Sequence, residues 1–302
     1  MAPRKPLLFV GESGTAKTMT IESYTSKLDR EQNLTLNINF SSRTRSKDVQ
    51  LNIEANVDKR SGTTYGPPAG KTLIVFIDDM NMPKVDTYGT QQPITFLLFL
   101  MSRKGFYDRG KDLNLKTIKD LQYIGAMGPP GGGRNDVDPR FIAQFNVCNL
   151  VPPSNDVLLS IYSKIVTARM ANHDKSVQDA AAAFPAATLE LFDLICERLP
   201  PTPSKFHYIF NLRDLSRAFE GVCLAQPDEF DRGEQLVRLW RNECHRVFCD
   251  RLATEEDLNM VEGQIKRIVE EKFSAAAEHA LQDPLMFGDF RHAVARLLED
   301  RE

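Results

Sequence analysis

Leu7-Leu-Phe-Val10-Gly11-Glu-Ser13-Gly14-Thr15-Ala16-Lys17-Thr18 is the stretch on which the fold turns. Four apolar residues run into a glycine-rich turn, and a helical pattern follows from Lys17 to about Leu28. A phosphate chain needs backbone N–H groups converging on it, a helix N-terminus behind it and a lysine reaching its terminal oxygens. Gly11, Ser13, Gly14, Thr15, Ala16 and Lys17 provide these in order, and the Thr18 hydroxyl is a ligand for Mg2+. The usual pattern is G-x-x-x-x-G-K-[ST], and Ala16 stands where its second glycine belongs. Alanine keeps the N–H, so the cradle is expected to survive provided that the backbone at 16 does not need a positive φ.

A second element lies downstream. Leu73-Ile-Val-Phe-Ile77-Asp78-Asp79 is an apolar run ending in two carboxylates, the first of them 61 residues beyond Lys17. Uninterrupted apolar character marks a strand buried on both faces. An acidic residue at the end of such a strand sits beside the phosphate loop, where Asp78 can hold Mg2+. The next carboxylate, Asp79, can polarise an attacking water. Around these, Leu34–Phe40 alternates like a strand, and Ser41–Asn56 reads as loop then helix. Gln91–Met101 reads as a helix, and Leu121–Met127 and Phe145–Leu150 as strands. Strands alternating with helices imply a parallel sheet with crossovers.

At Pro152-Pro153 the character changes to helices throughout. Ser154 is the expected N-cap of a helix to about Met170, and further helical patterns cover Ala186–Leu199, Leu212–Leu224, Arg232–Arg251 and Glu255–Ala280. The expected architecture is therefore α/β first and all-α second: 1–153 a nucleotide-binding subdomain, 154–251 a helical lid, 252–302 a helical connection. A length of 302 residues agrees with two units at roughly 150 residues per domain.

Composition narrows the function classes. Residues 1–153 carry 20 Lys/Arg against 15 Asp/Glu, and residues 154–302 carry 18 against 26. The first half thus favours an anion, and the second reads as acidic, solvated helices. Long basic runs are absent, and Arg43, Arg45 and Lys47 read as a solvated loop, so no nucleic-acid partner is expected. The longest apolar run, about eight residues around Ile94–Met101, falls short of the ~20 needed to span a bilayer, so no membrane role is expected. Five cysteines without a CxxC pair argue against a disulfide framework and for a reducing compartment. The five histidines lack paired metal spacing, and the lone Trp240 belongs to a core stripe with Leu236, Leu239 and Val247.

Phosphoryl transfer also gains from a cation against the terminal phosphate. Arg140, in Asn135-Asp-Val-Asp-Pro-Arg140-Phe141, and Arg213, in Phe210-Asn-Leu-Arg213-Asp-Leu, are the candidates, with Asn211 the expected cap that places Arg213 in a first helical turn. The order GESGTAKT, FIDDMNMP, TYGTQQP, FYDR, GGGRNDVDPRF and FNLRDLSR resembles the third AAA+ module of a dynein heavy chain, of the axonemal rather than the cytoplasmic type. The likeness runs from about Leu7 to Arg251. It implies a P-loop AAA+ fold with a helical lid, an ATP or ADP site with Mg2+, a Walker A loop at Gly11–Thr18 and a Walker B strand ending at Asp78 and Asp79. It further implies that Arg140 is an arginine finger acting on the preceding module and that Arg213 is the sensor-2 residue. The implied partners are adjacent AAA+ modules, with dynein subunits and microtubules reached only through a full-length parent chain. The implied location is the cytoplasm and cytoskeleton, in the axoneme of the cilium.

Two departures bear on mechanism. Asp79 stands where most AAA+ ATPases have Glu, and Gly128 falls where sensor 1 usually carries Asn; Asn135 can substitute only if its loop folds back. Loss of a water-positioning group slows hydrolysis by orders of magnitude while binding rests on other contacts. The expectation is nucleotide binding with slow or absent hydrolysis, in a regulatory module. The alternatives are an actively hydrolysing module and a stand-alone P-loop ATPase outside dynein. The short lead before Leu7 and the run Asp283–Phe290 are read as the ends of a ring segment cut on both sides, with the next module beginning near Asp283.

Overall fold

The computed structural model describes residues 5–110 and 112–288, and the chain divides into two units at Pro152/Pro153. The first unit runs β1 (Leu7–Gly11), α1 (Lys17–Ser26), β2 (Asn33–Asn39), α2 (Ser46–Glu54), β3 (Asp58–Ser61), β4 (Thr64–Gly66) and β5 (Thr72–Asp78). It continues with α3 (Gln92–Arg103), β6 (Gly105–Tyr107), β7 (Leu115–Ile118), β8 (Leu121–Met127), the single turn α4 (Pro139–Ile142) and β9 (Asn146–Leu150).

Five strands pair in parallel in the order β2-β5-β8-β1-β9. In register, Leu36 lies opposite Val75, Ile77 opposite Gly125, Val10 opposite Met127 and Gly11 opposite Leu150. The apolar run of β5 follows from this order. Leu73, Val75 and Ile77 pack on one face with Val49 and Ile53 of α2 and Ile94, Leu97 and Leu100 of α3. Ile74 and Phe76 pack on the other with Ile21 of α1 and with Ile124 and Ala126 of β8. Each such side chain withdrawn from water contributes about 2 kcal/mol before chain entropy is counted, and this makes β5 the anchor of the sheet.

The short strands β3, β4, β7 and β6 form a second sheet in that order, which the periodicity of the sequence did not reveal. Its strands are three or four residues long, β3 is exposed throughout, and the β4–β7 pairing joins Thr64 to Thr117. Pieces that short carry no readable alternation, and a pairing so distant in sequence leaves no local signal.

The second unit consists of α5 (Asn155–Met170), α6 (Lys175–Arg198), α7 (Leu212–Val222), α8 (Gly233–Cys244), α9 (Glu255–Lys272) and the short α10 (Ala277–Ala280). A single apolar cluster binds them, with Phe184, Trp240 and Phe248 fully buried. The Trp240 indole N–H donates to the Thr188 hydroxyl at 2.9 Å. Among the described residues no strand follows Leu150.

Three local readings need correction. The helix read as starting at Ala186 starts at Lys175 and runs through Pro185. An interior proline costs about 3 kcal/mol, and burial of Val177, Ala181, Phe184, Leu191 and Ile195 along α6 exceeds that. The long helix read over Arg232–Arg251 ends as α8 at Cys244, and a π-helical turn covers His245–Cys249. Glu255–Ala280 is likewise broken, by a 3-10 turn at Ser274–Ala276. Cys244 and Cys249 lie in the core, where burial pushes both thiols up, Cys249 to about 12. The stretch Asp283–Phe290 runs past residue 288, and residues 289–302 of the expected connection lie outside the described residues.

Candidate nucleotide site

The loop between β1 and α1 closes on its own lysine. Lys17 Nζ donates to the carbonyls of Gly11 at 2.8 Å and Glu12 at 2.6 Å, and lies 3.3 Å from Thr15 Oγ1. The Thr15 hydroxyl donates to the Glu12 carbonyl at 2.9 Å. A Cβ at Gly11 would lie 2.5 Å from the Leu150 carbonyl, so no larger residue fits where β9 passes this closely. Gly14 takes φ 88°, which turns the chain into the helix.

Ala16 takes φ 58° and ψ 22°, in the left-handed region. The condition set on the sequence therefore fails: the backbone at 16 does adopt the conformation that the usual glycine serves. The loop closes in spite of this, with alanine bearing a left-handed cost of about 1–2 kcal/mol.

Across the sheet, β5 delivers its carboxylates to the same place. Thr18 Oγ1 donates to Asp78 Oδ2 at 2.6 Å, joining the first turn of α1 to the end of β5 across 60 residues. Asp78 Oδ1 accepts the N–H of Asp79 at 2.9 Å. Asp79 itself has φ 49° and a half-exposed carboxylate, with Oδ1 3.7 Å from Arg134 Nη2. A hydroxyl and a carboxylate meeting at hydrogen-bond distance form an oxygen-only donor pair, which is what a hard cation such as Mg2+ takes. The residues thus fit a magnesium–nucleotide: Lys17 and the loop N–H groups would face phosphate, and Thr18 and Asp78 the metal.

Arg140 lies in α4 with its side chain 81% exposed, bound to the Asp138 carboxylate at 2.7 Å. Asp138 also caps the turn by accepting the Arg140 N–H at 2.8 Å. Those hydrogen bonds hold the Asp138 carboxyl below the usual range and raise the guanidinium of Arg140. Arg213 belongs to the second unit. It is exposed in the first turn of α7, where Asn211 accepts its N–H at 2.9 Å and completes a capping box with Asp214, as the spacing predicts. Ser154, the other expected cap, occupies its N-cap position without a side-chain hydrogen bond.

The loop after β8 does fold back, but Asn135 does not reach the carboxylates. Its backbone N–H donates to the Asn81 carbonyl at 2.9 Å and its side-chain amide to the Pro83 carbonyl at 3.0 Å. Its neighbour Arg134 is the residue that meets Asp79. Asn81, fully buried, ties the two loops together by donating to the Gly128 carbonyl at 2.8 Å. Neither Arg134 nor Asn81 was singled out from the sequence, although both lie inside the quoted motifs. The signal available was a lone arginine after three glycines, beside an empty side-chain position at 128.

Comparison with known proteins agrees with this geometry. Residues 1–153 match the model of the P-loop containing dynein motor region, and residues 184–287 that of the AAA+ lid domain. The chain is 52% identical over its whole length to the Dynein-1-alpha heavy chain of the flagellar inner arm I1 complex from Chlamydomonas reinhardtii, covering 7% of that protein. It is 52% identical over 98% of its length to Dynein axonemal heavy chain 10 of Homo sapiens, again 7% of the relative. Against Dynein axonemal heavy chain 5 of Rattus norvegicus the figures are 40% over 89% of the chain and 8% of the relative. The chain therefore belongs to the family of P-loop containing dynein motor regions, as an α/β nucleotide-binding fold followed by an AAA+ lid.

Proposed function

We propose that the chain is a regulatory ATP- and ADP-binding module of an axonemal-type dynein heavy chain, corresponding to the third module of its ring. The observation that carries the nucleotide reading is the 2.6 Å hydrogen bond from Thr18 to Asp78, which joins the phosphate loop to the acidic strand end. The charge neutralisation that phosphate binding needs would come from Mg2+. Thr18 and Asp78 would hold the metal, and Lys17 would face the phosphate oxygens. Family membership disfavours the stand-alone ATPase reading.

Hydrolysis is slow in this reading. Asp79 is one methylene shorter than Glu, its backbone is left-handed, and its half-exposed carboxylate lies 3.7 Å from the Arg134 guanidinium. A carboxylate so held positions water poorly, and that loss falls on the rate rather than on binding. Arg140, exposed and tethered only to its own neighbour Asp138, serves a neighbouring module in trans. Arg213 serves as the sensor-2 residue from the lid. Movement along microtubules in the cilium belongs to the full parent chain, since the chain spans only 7% of its curated relatives.

Radiolabelled ATP binding and turnover on the purified chain tests this. Binding that Lys17→Ala abolishes, with turnover at the blank level, is the expected result. Turnover that depends on Asp79 makes the module an active ATPase instead, and saturable, salt-resistant co-sedimentation with microtubules contradicts the assignment of movement to the parent chain.

A further inference from the structure

Gly128 directly follows β8, and a Cβ built there would lie 2.8 Å from Arg134 Nε and 3.0 Å from its Cδ and Cζ. The arginine side chain therefore takes the volume that a side chain at 128 would fill. It gets there through a tight turn, in which Gly131 and Arg134 exchange backbone hydrogen bonds of 3.0 and 3.1 Å. Gly131, Gly132 and Gly133 have φ of 113°, 58° and 86°, values that side-chain-bearing residues rarely adopt. The Asn135 N–H bond to Asn81 pins the exit of the turn.

The sheet order places this guanidinium. β8 lies between β5, which ends in Asp78 and Asp79, and β1, which opens the phosphate loop. Arg134 thus sits at the end of the strand that separates the two halves of the site. Its hydrogen-bonding capacity is largely unused there. The ion pair with Asp79 is long at 3.7 Å, and Nε is buried without an acceptor. A buried donor without a partner is unfavourable, and a planar guanidinium presents five N–H groups in a fork that matches phosphate oxygens.

We infer that Arg134, seated in the space left by Gly128, recognises the terminal phosphate of a nucleoside triphosphate and so distinguishes it from the diphosphate. This rests on the nucleotide-binding reading proposed above. It assigns the terminal-phosphate contact to an arginine carried by the glycine turn rather than to Asn135, whose amide nitrogen is committed to Pro83.

Calorimetric titration of the 302-residue chain with the β,γ-imido analogue of ATP and with ADP, both with Mg2+, provides the test. Arg134→Gln is expected to weaken the analogue about tenfold or more while ADP changes less than about twofold, since a charge-assisted contact to one phosphate is removed. Arg134→Lys should fall between the two, because a point charge replaces a fork. Gly128→Ala should move in the same direction as Arg134→Gln by displacing the arginine without removing its charge, and it serves if Arg134→Gln does not fold. An unchanged ratio of analogue to ADP affinity in these variants, with wild type binding both nucleotides and Lys17→Ala binding neither, overturns the role of Arg134 alone. If wild type binds neither nucleotide, or Lys17→Ala binds as wild type does, the nucleotide reading falls and the assignment to Arg134 falls with it.

Discussion

Among the described residues, the non-glycine positions with positive φ are Ala16, Asp79, Lys104, Leu113 and Asp120, and all of them lie in the first unit, as do the positive-φ glycines. The described part of the second unit has none. It has instead one continuous apolar cluster, in which buried carboxylates are matched: Asp214 with Arg251 and Arg217, Glu243 with Arg246. Ala16, Asp79 and the glycine turn at 131–133 follow the C-terminal ends of parallel strands or open the phosphate-loop helix. There the chain must present N–H groups and charge to a ligand rather than to itself. Backbone strain persists where surrounding structure over-determines it, and a five-stranded parallel sheet does so. The helical unit is held by side-chain packing, and among its described residues none has left-handed backbone.

That contrast predicts that core truncation harms the second unit while site substitutions in the first harm binding alone. The largest effect is expected from Phe184→Ala. The ring is fully buried, 5.9 Å from Trp240 and 5.5 Å from Phe273 between centroids. Its removal should destabilise the second unit by about 3–5 kcal/mol. The only tryptophan, Trp240, lies in that unit, so its emission during urea unfolding reads the change directly. A loss below about 1 kcal/mol would show that this core tolerates cavities, which breaks one side of the comparison.

Lys17→Ala should lower ATP affinity about 100-fold, close to 3 kcal/mol, while the melting temperature of the nucleotide-free chain moves by about 2 °C or less. The Gly11 and Glu12 carbonyls that accept from the lysine can be satisfied by water in its absence. A large drop in the melting temperature without nucleotide would mean that the phosphate loop is part of the first unit's framework.

Ala16→Gly sharpens the comparison with a smaller change of opposite sign. Relief of the left-handed cost, about 1–2 kcal/mol, exceeds the entropy that glycine adds to the unfolded chain, about 0.5–1 kcal/mol. A net gain near 0.5 kcal/mol in thermal stability is expected, and a net loss would contradict the observed φ of 58°.

The smallest effect concerns pH. Hydrogen bonds from Lys205 and then Thr254 and Tyr208 hold the Asp257 carboxyl below its ordinary value of 3.8. A lowered value in the folded state means that this contribution is complete above the unfolded-state value and is lost as pH falls through the folded one. The urea midpoint reported by Trp240 should therefore drop below about pH 4, and less so in Asp257→Asn. Identical acid profiles for the two proteins would show that the Lys205–Asp257 contact adds nothing to the second unit.

Much of this was readable from residues in order. Apolar β5 ending in Asp78-Asp79, the glycine turn before Lys17-Thr18 and the switch at Pro152-Pro153 each depend on neighbours within a dozen positions, and each appears where its pattern places it. Asn211 likewise shows its capping role through Arg213 and Asp214 alone. Features that depend on distant partners were not readable. The second sheet pairs strands of three and four residues across about 50 positions of chain, and α6 passes through Pro185 because its buried face outweighs one missing hydrogen bond.

The sequence by itself therefore determined which chemistry the chain can carry: a glycine-rich loop closed by Lys17-Thr18, two carboxylates at a buried strand end, and a helical lid later in the chain. Residue type and periodicity suffice for that, since the groups are set by their immediate chain neighbours. Only the tertiary structure decided which cation faces Asp79. Folding the glycine turn back over β8 commits the amide of Asn135 to Pro83 and brings Arg134 against Gly128, a choice made by hydrogen bonds between loops some 50 residues apart.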